Sequence, residues 1–261
     1  MKRGSVWAWI WLIIGLLYFF VPLVATLEFS LRAVRGTYSL AAFQQVLTDS
    51  SFYRAFGSSL LWAVITIVIS LLLVVPTTYW VHLRLPRLRP FVEFVTLMPF
   101  VVPAVVLVFG FIRLYGSGPL VLTGSPILLI AGYIVLSLPY MFRAVDTGLR
   151  AIDVRTLTEA AQSLGASWTT ILGQVIFPNL RVALLSGVFL TLAIVVGEFT
   201  FASLLYQPAF GPYMEQVGNK EAYKAAALAI ISFSLTWASI GIIQWLGRAA
   251  PGQQAQVGGA R

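Results

Sequence analysis

Residues Thr158–Leu180 read TEAAQSLGASWTTILGQVIFPNL, and they lie between two runs apolar enough to enter a bilayer. The stretch holds one acidic residue, Glu159, with a glycine at 165 and a proline at 178. It lacks an apolar core of lipid-spanning length. A short helix–turn–helix of this kind, set in so apolar a chain, is suited to docking on something outside the membrane.

The surrounding composition makes that contrast sharp. Of 261 residues, 59% are hydrophobic and only 10% are charged, and the mean hydropathy is +0.89. A soluble domain carries roughly a quarter charged residues. The chain therefore reads as a polytopic membrane protein with little left over for a soluble catalytic domain. The net charge of +8 follows from membrane topology, because Lys and Arg fall between the apolar runs. They form no basic stripe interleaved with exposed aromatics, which argues against nucleic-acid binding. There is no cysteine, which removes disulfides, thiolate metal sites and cysteine nucleophiles.

Apolar runs of about 20 residues predict six spans near Val6–Leu27, Phe56–Trp80, Phe94–Leu114, Pro126–Phe142, Val182–Tyr206 and Tyr223–Leu246. The first follows Lys2-Arg3 and is too long for a signal-peptide core, so it is expected to be an uncleaved helix. The Lys/Arg bias favours both termini in the cytoplasm, which puts the Glu159 segment in the longest internal loop. Residues 1–247 are expected to form a single membrane domain, and the polar tail 248–261 to be disordered. Pro99 and Pro103 sit inside the third run, where each removes a backbone donor. They serve either as packing kinks or as a bend that lines a pathway.

Two starts are open for the helix that carries Glu159. Thr156 and Glu159 have the spacing of a capping box. Alternatively the helix begins earlier, running on from the fourth span, and Glu159 is a mid-helix surface carboxylate. Leu157, Ala160, Ala161 and Leu164 recur at i, i+3, i+4 and i+7 and predict one apolar stripe. Gly165 suits a left-handed helix stop. Ser167 can cap a second helix carrying Trp168, Ile171, Leu172, Val175 and Ile176, which Pro178 is expected to close. Such a pair can lie on lipid or insert into a groove on a partner.

The pattern Glu159-Ala160-Ala161, three residues, Gly165, and then Ile176-Phe177-Pro178 resembles the cytoplasmic EAA loop of type I ABC importer permeases. Phe177 stands where that family usually has leucine. The approach through Tyr140–Arg143 and Leu149–Asp153, and Ser58-Ser59-Leu60 near the second span, are similar to the family as well. The resemblance implies an all-α fold of six transmembrane helices with a cytoplasmic coupling-helix loop at about 150–180. It also implies that Glu159, Ala160, Ala161, Leu164, Gly165 and Trp168 meet a cytoplasmic ABC ATPase dimer. The other implied partners are a second, homologous or identical permease subunit and a periplasmic or lipid-anchored solute-binding protein.

Signs of catalysis are missing from the sequence. The chain carries no Walker A pattern, so ATP and magnesium are expected on the ATPase, and no cofactor on this chain. His82, the one histidine, reads as an interfacial polar residue. Asp146 and Asp153 are spaced to pair with Arg143 and Arg150 along a helix. Glu198 falls within an apolar run, where an ionisable side chain is costly and faces protein or water. It is the candidate pathway residue beside Pro99 and Pro103, with an interhelical strut as the alternative role. The run Gly197-Glu198-Phe199 resembles permeases for small charged solutes, including polyamines, oxyanions and iron-type substrates. The rival reading is a secondary transporter or channel that uses Glu198 as an ion or proton site.

Overall fold

Backbone inside a bilayer must satisfy its own N–H and C=O groups, and this chain does so with helices. In the computed structural model, which describes residues 4–34, 36–117 and 121–248, an isolated bridge between Val34 and Thr37 is the one piece of β-pairing among the described residues. Lys2, Arg3, Arg35 and tail residues 249–261 lie outside the described residues. The order is α1 (Gly4–Leu31), α2 (Ala41–Thr48), α3 (Ser50–Arg84), α4 (Arg89–Val101), α5 (Ala104–Tyr115) and α6 (Pro126–Arg150). There follow α7 (Val154–Ser163), α8 (Trp168–Thr170), a π-helical turn (Ile171–Ile176), α9 (Phe177–Gly197), α10 (Thr200–Leu204), α11 (Phe210–Gly218) and α12 (Ala222–Arg248).

Among the described residues, four helical stretches are long and apolar enough to cross a membrane: Trp7–Leu31, Ser50–Arg84, Pro126–Arg150 and Trp168–Gly197. The third expected span is not one rod. Its two halves, Pro86–Val101 and Ala104–Tyr115, are bent by 100°. Pro103 forces Val102 into an extended conformation (φ −90°, ψ 118°) and so ends α4. The Pro103 carbonyl then accepts the Val106 amide at 2.9 Å and starts α5. The fifth span also differs from expectation, since it starts at Trp168 and stops at Gly197 instead of running to Tyr206.

Tertiary contacts divide the chain into two compact units, Met1–Arg54 with Pro212–Trp237, and Ala55–Gly211 with Ala238–Arg261. In the first unit, Phe29 stacks on Tyr223 at 4.7 Å and Phe19 meets Phe233 at 6.2 Å. Asp49 ties its short helices together. One carboxylate oxygen takes Lys224 Nζ at 2.7 Å and the Tyr213 hydroxyl at 2.8 Å, and the other takes the Ser51 amide. The hydrogen bond from Lys224 holds the Asp49 carboxyl well below the usual carboxylate range.

The second unit is built on the long packing of α6 against α9. Glycines set their distance. A Cβ added at Gly187 would lie 2.9 Å from Met141 Sδ, and one at Gly148 would lie 2.6 Å from the Ala183 Cβ. Small residues let helices approach closely where no hydrophobic effect drives them together. Around this seam, Tyr79, Met141, Val145, Leu149, Ile171, Ile176 and Leu180 make a continuous buried cluster. It links the helices to the corner formed by α7 and α8.

Candidate functional site

The corner at Glu159 is fixed at both ends by local hydrogen bonds. Asp153, not Thr156, caps α7: its Oδ1 accepts the Thr156 amide at 3.1 Å and its Oδ2 the Thr156 hydroxyl at 2.7 Å. These bonds, the backbone one first, hold the Asp153 carboxyl below its ordinary value. The capping-box register at Thr156 is therefore not the one formed, because an aspartate three residues earlier takes the same amide. The helix starts early, as the alternative required, but it does not run on from α6, since Ala151–Asp153 break the chain between them.

At the other end, Ala166 donates to the Ala161 carbonyl at 3.0 Å and Gly165 to the Gln162 carbonyl at 2.9 Å. With Gly165 at φ +78° this is a Schellman closure, which needs a residue free of left-handed strain. The glycine corner is where the sequence placed it.

The stripe that faces inward is rotated from the expected one. Val154, Thr158 and Ala161 are buried, and the Thr158 hydroxyl meets the buried Tyr79 hydroxyl at 2.8 Å. Leu157 is half-buried, Ala160 is exposed, and Leu164 is 89% exposed. Thr158 can take an inward position because its hydroxyl donates to the Val154 carbonyl at 2.6 Å and also meets the Tyr79 hydroxyl, and this turns Ala160 and Leu164 outward. Glu159 lies on the same outer side, its side chain 61% exposed, with Arg155 Nε 2.7 Å from its Oε1. That hydrogen bond raises the Arg155 guanidinium above its ordinary value.

The second helix also departs from expectation. Ser167 caps it by accepting the Thr170 amide, but Pro178 does not close it. The helix runs on from Trp168 to Gly197. The π turn gives the physical reason. Phe177 donates to Leu172, five residues back, and the wider turn accommodates the proline ring without breaking the helix. Asn179 Nδ2 caps the Val175 carbonyl at 2.7 Å. Trp168 is turned onto Trp80, edge to face at 5.0 Å, with Arg84 over both rings.

Sequence spacing missed the main polar cluster. Asp146, its side chain only 8% exposed, takes His82 Nε2 at 2.7 Å, Arg89 on both oxygens, and Arg150 Nη2 at 2.7 Å. The expected Asp146–Arg150 pair is present. Asp153 is occupied with Thr156 instead, and no ion pair joins Arg143 to Asp146 among the described residues. His82, expected as an interfacial polar residue, belongs to this cluster.

Glu198 ends α9 and does not lie within it. Its carboxylate accepts the amides of Phe201 at 2.9 and 3.0 Å and of Ala202 at 3.3 Å, and so starts α10. Nearby backbone fits closely, since a Cβ on Gly211 would sit 2.5 Å from the Glu198 carbonyl oxygen. Ser59, in the segment similar to the permease pattern, accepts the Phe210 amide at 2.8 Å. Pro99 is inside α4 and Pro103 is at the 100° break. No group of three or more metal-ligating side chains occurs among the described residues.

Comparison with known proteins supplies the family. The pattern of the binding-protein-dependent transport system inner membrane component matches residues 86–250, which include the Glu159 corner. The ferric transport system permease protein FbpB of Actinobacillus pleuropneumoniae is 35% identical over 95 residues, covering 36% of this chain and 14% of that protein. The spermidine/putrescine transport system permease protein PotB of Haemophilus influenzae is 28% identical over 174 residues, 61% of this chain and 60% of its own. The chain thus spans less than two thirds of either relative. A bacterial ABC transporter involved in alginate import has the same fold, with a TM-score of 0.69 over 95% of this chain and 96% of that one at 14% identity. This chain belongs to the binding-protein-dependent transport system inner membrane components, the type I ABC importer permeases.

Proposed function

We propose that the chain is one transmembrane subunit of an ATP-driven solute importer, coupled to a cytoplasmic ATPase dimer at the Glu159 corner. The observation that carries this reading is an exposed carboxylate on a short helix that is capped at both ends. Its partner Arg155 is on the same helix and largely exposed. An exposed pair of this kind contributes little to folding, so Glu159 can exchange Arg155 for a cation on another subunit.

In this reading Glu159, Ala160 and Leu164 touch the ATPase, Ala161 and Gly165 shape the corner, and Trp168 anchors it against Trp80. ATP and magnesium act on the ATPase, and this chain contributes no catalytic group. When the ATPase dimer closes, the corner moves, and the unbroken helix from Trp168 to Gly197 carries the displacement into the membrane. A second permease subunit, homologous or identical, completes the pathway. A periplasmic or lipid-anchored binding protein delivers the solute, and both termini lie in the cytoplasm.

Glu198, Pro99 and Pro103 are assigned to the pathway because each is at or beside a helix interruption, the usual place for solute sites in transporters. The related permeases named above differ in the cargo of their systems, so the class assigned is a small charged solute such as a polyamine. As an ion-coupled carrier site Glu198 is less suited, since its carboxylate already accepts backbone amides.

The test is uptake into membrane vesicles that hold the permease with its co-purifying partners. The expected result is a Walker-motif ATPase in the complex and uptake that requires ATP and survives an uncoupler. Uptake driven by an ion gradient, with no ATPase present, contradicts the proposal.

A further inference from the structure

Two tryptophans from the ends of different membrane-grade helices meet in the second unit. Trp80 lies one turn from the end of α3, and Trp168 opens the helix that becomes α9. Their rings touch edge to face at 5.0 Å. The Arg84 guanidinium carbon sits 6.0 Å from each ring centroid. Beyond it the chain turns through Arg84-Leu85-Pro86-Arg87-Leu88-Arg89 over a short 3-10 turn.

This elbow combines two kinds of exposed group. Leu85, Leu88 and Phe91 are 43%, 48% and 65% exposed. Arg84 and Arg87 are also exposed, and among the described residues no carboxylate pairs with either. Arg89 differs, being turned inward to Asp146. The nearest acid in sequence, Glu93 on α4, forms no ion pair with them.

We propose that the elbow is seated in the headgroup layer and that Arg84 and Arg87 bind the phosphate of an anionic phospholipid. Indole rings concentrate at the membrane–water boundary, and two of them in contact from separate spans mark that depth. Arg84 lies one helical turn past Trp80, about 6 Å further along the axis, where headgroup phosphates lie. A guanidinium presents a planar fork that matches phosphate. The exposed leucines and phenylalanine then rest against acyl chains instead of water. The proposal rests on the chain being a membrane protein and not on its coupling to an ATPase.

The experiment counts lipids. The detergent-extracted transporter is mixed with phosphatidylglycerol and phosphatidylcholine in equal amounts, and retained lipid is measured by native mass spectrometry. The expected result is preferential retention of phosphatidylglycerol that weakens with added salt. Replacing Arg84→Gln together with Arg87→Gln should lower that retention about 25-fold, about fivefold for each arginine. The Arg84→Lys, Arg87→Lys pair, which keeps both charges, should retain most of it.

Equal retention in the glutamine pair and the unaltered protein would overturn the proposal, and so would salt-independent retention of the unaltered protein. Unchanged lipid retention with loss of a co-purifying ATPase would assign the elbow to a protein partner. Complete displacement by inorganic phosphate would assign it to a free anion. Lipid counting involves no transport, so its outcome is separate from that of the importer reading.

Discussion

The Arg89 guanidinium holds both oxygens of the Asp146 carboxylate, Nε to Oδ1 and Nη2 to Oδ2, each at 3.1 Å and across 57 positions of sequence. With His82 and Arg150 on the same carboxylate, one buried acid joins the end of α3, the start of α4 and the last turns of α6. Asp146→Asn removes the charge that three basic side chains share. It should destabilise the protein by about 3 kcal/mol, since breaking a buried pair leaves its partner uncompensated. A thermal midpoint several degrees lower checks this, and Arg89→Lys, which loses the fork but keeps the charge, should cost less.

Gly165 is strained for any other residue by its backbone, not by crowding. Its φ is +78° and an added Cβ meets nothing within 4 Å. Gly165→Ala should cost about 1 kcal/mol, and Gly165→Asn less, because asparagine tolerates the left-handed region. Hydrogen exchange at the Gly165 and Ala166 amides, which close α7, should quicken in the alanine variant and much less in the asparagine one.

Asp49 gives a pH dependence with a defined sign. Its carboxyl is held below the ordinary range, chiefly by Lys224. The stability it contributes is therefore fully present above its unfolded pKa of about 4 and is lost as pH falls through the lower folded value. The difference in thermal midpoint between the unaltered protein and Asp49→Asn should stay constant from about pH 5 to 8 and shrink only in stronger acid. A difference that grows on acidification would contradict the assignment.

Glu198→Gln keeps one acceptor oxygen for the Phe201 or Ala202 amide but removes the charge. The permease should assemble normally while solute uptake changes in rate or selectivity by several-fold. Unchanged uptake would leave Glu198 as the cap of α10 and nothing more.

Much of the corner could be read from sequence because its signals are local. Gly165 needs only one backbone conformation, and Ser167 needs only an amide three residues on. The inward stripe was misplaced because Thr158 is polar, and its hydroxyl is met both by the Val154 carbonyl and by Tyr79, 79 positions away. The Asp146 cluster was hidden for the same reason, since His82 and Arg89 come from other helices. Pro103 and Pro178 show the limit of proline as a signal. The first breaks a span by 100°, while the second is carried through by a π turn, and their sequence contexts do not separate the two outcomes. Glu198 read as mid-helix because hydropathy averages over a window, and its capping bonds end the helix inside that window.

The proposed coupling through Glu159 is tested by paired measurement of ATP hydrolysis and solute uptake in the reconstituted Glu159→Lys transporter. Membrane insertion should be normal, ATPase association weakened and uptake reduced at least tenfold, because a lysine would repel the cation proposed to meet Glu159. Normal ATPase association together with normal uptake in that variant would contradict it.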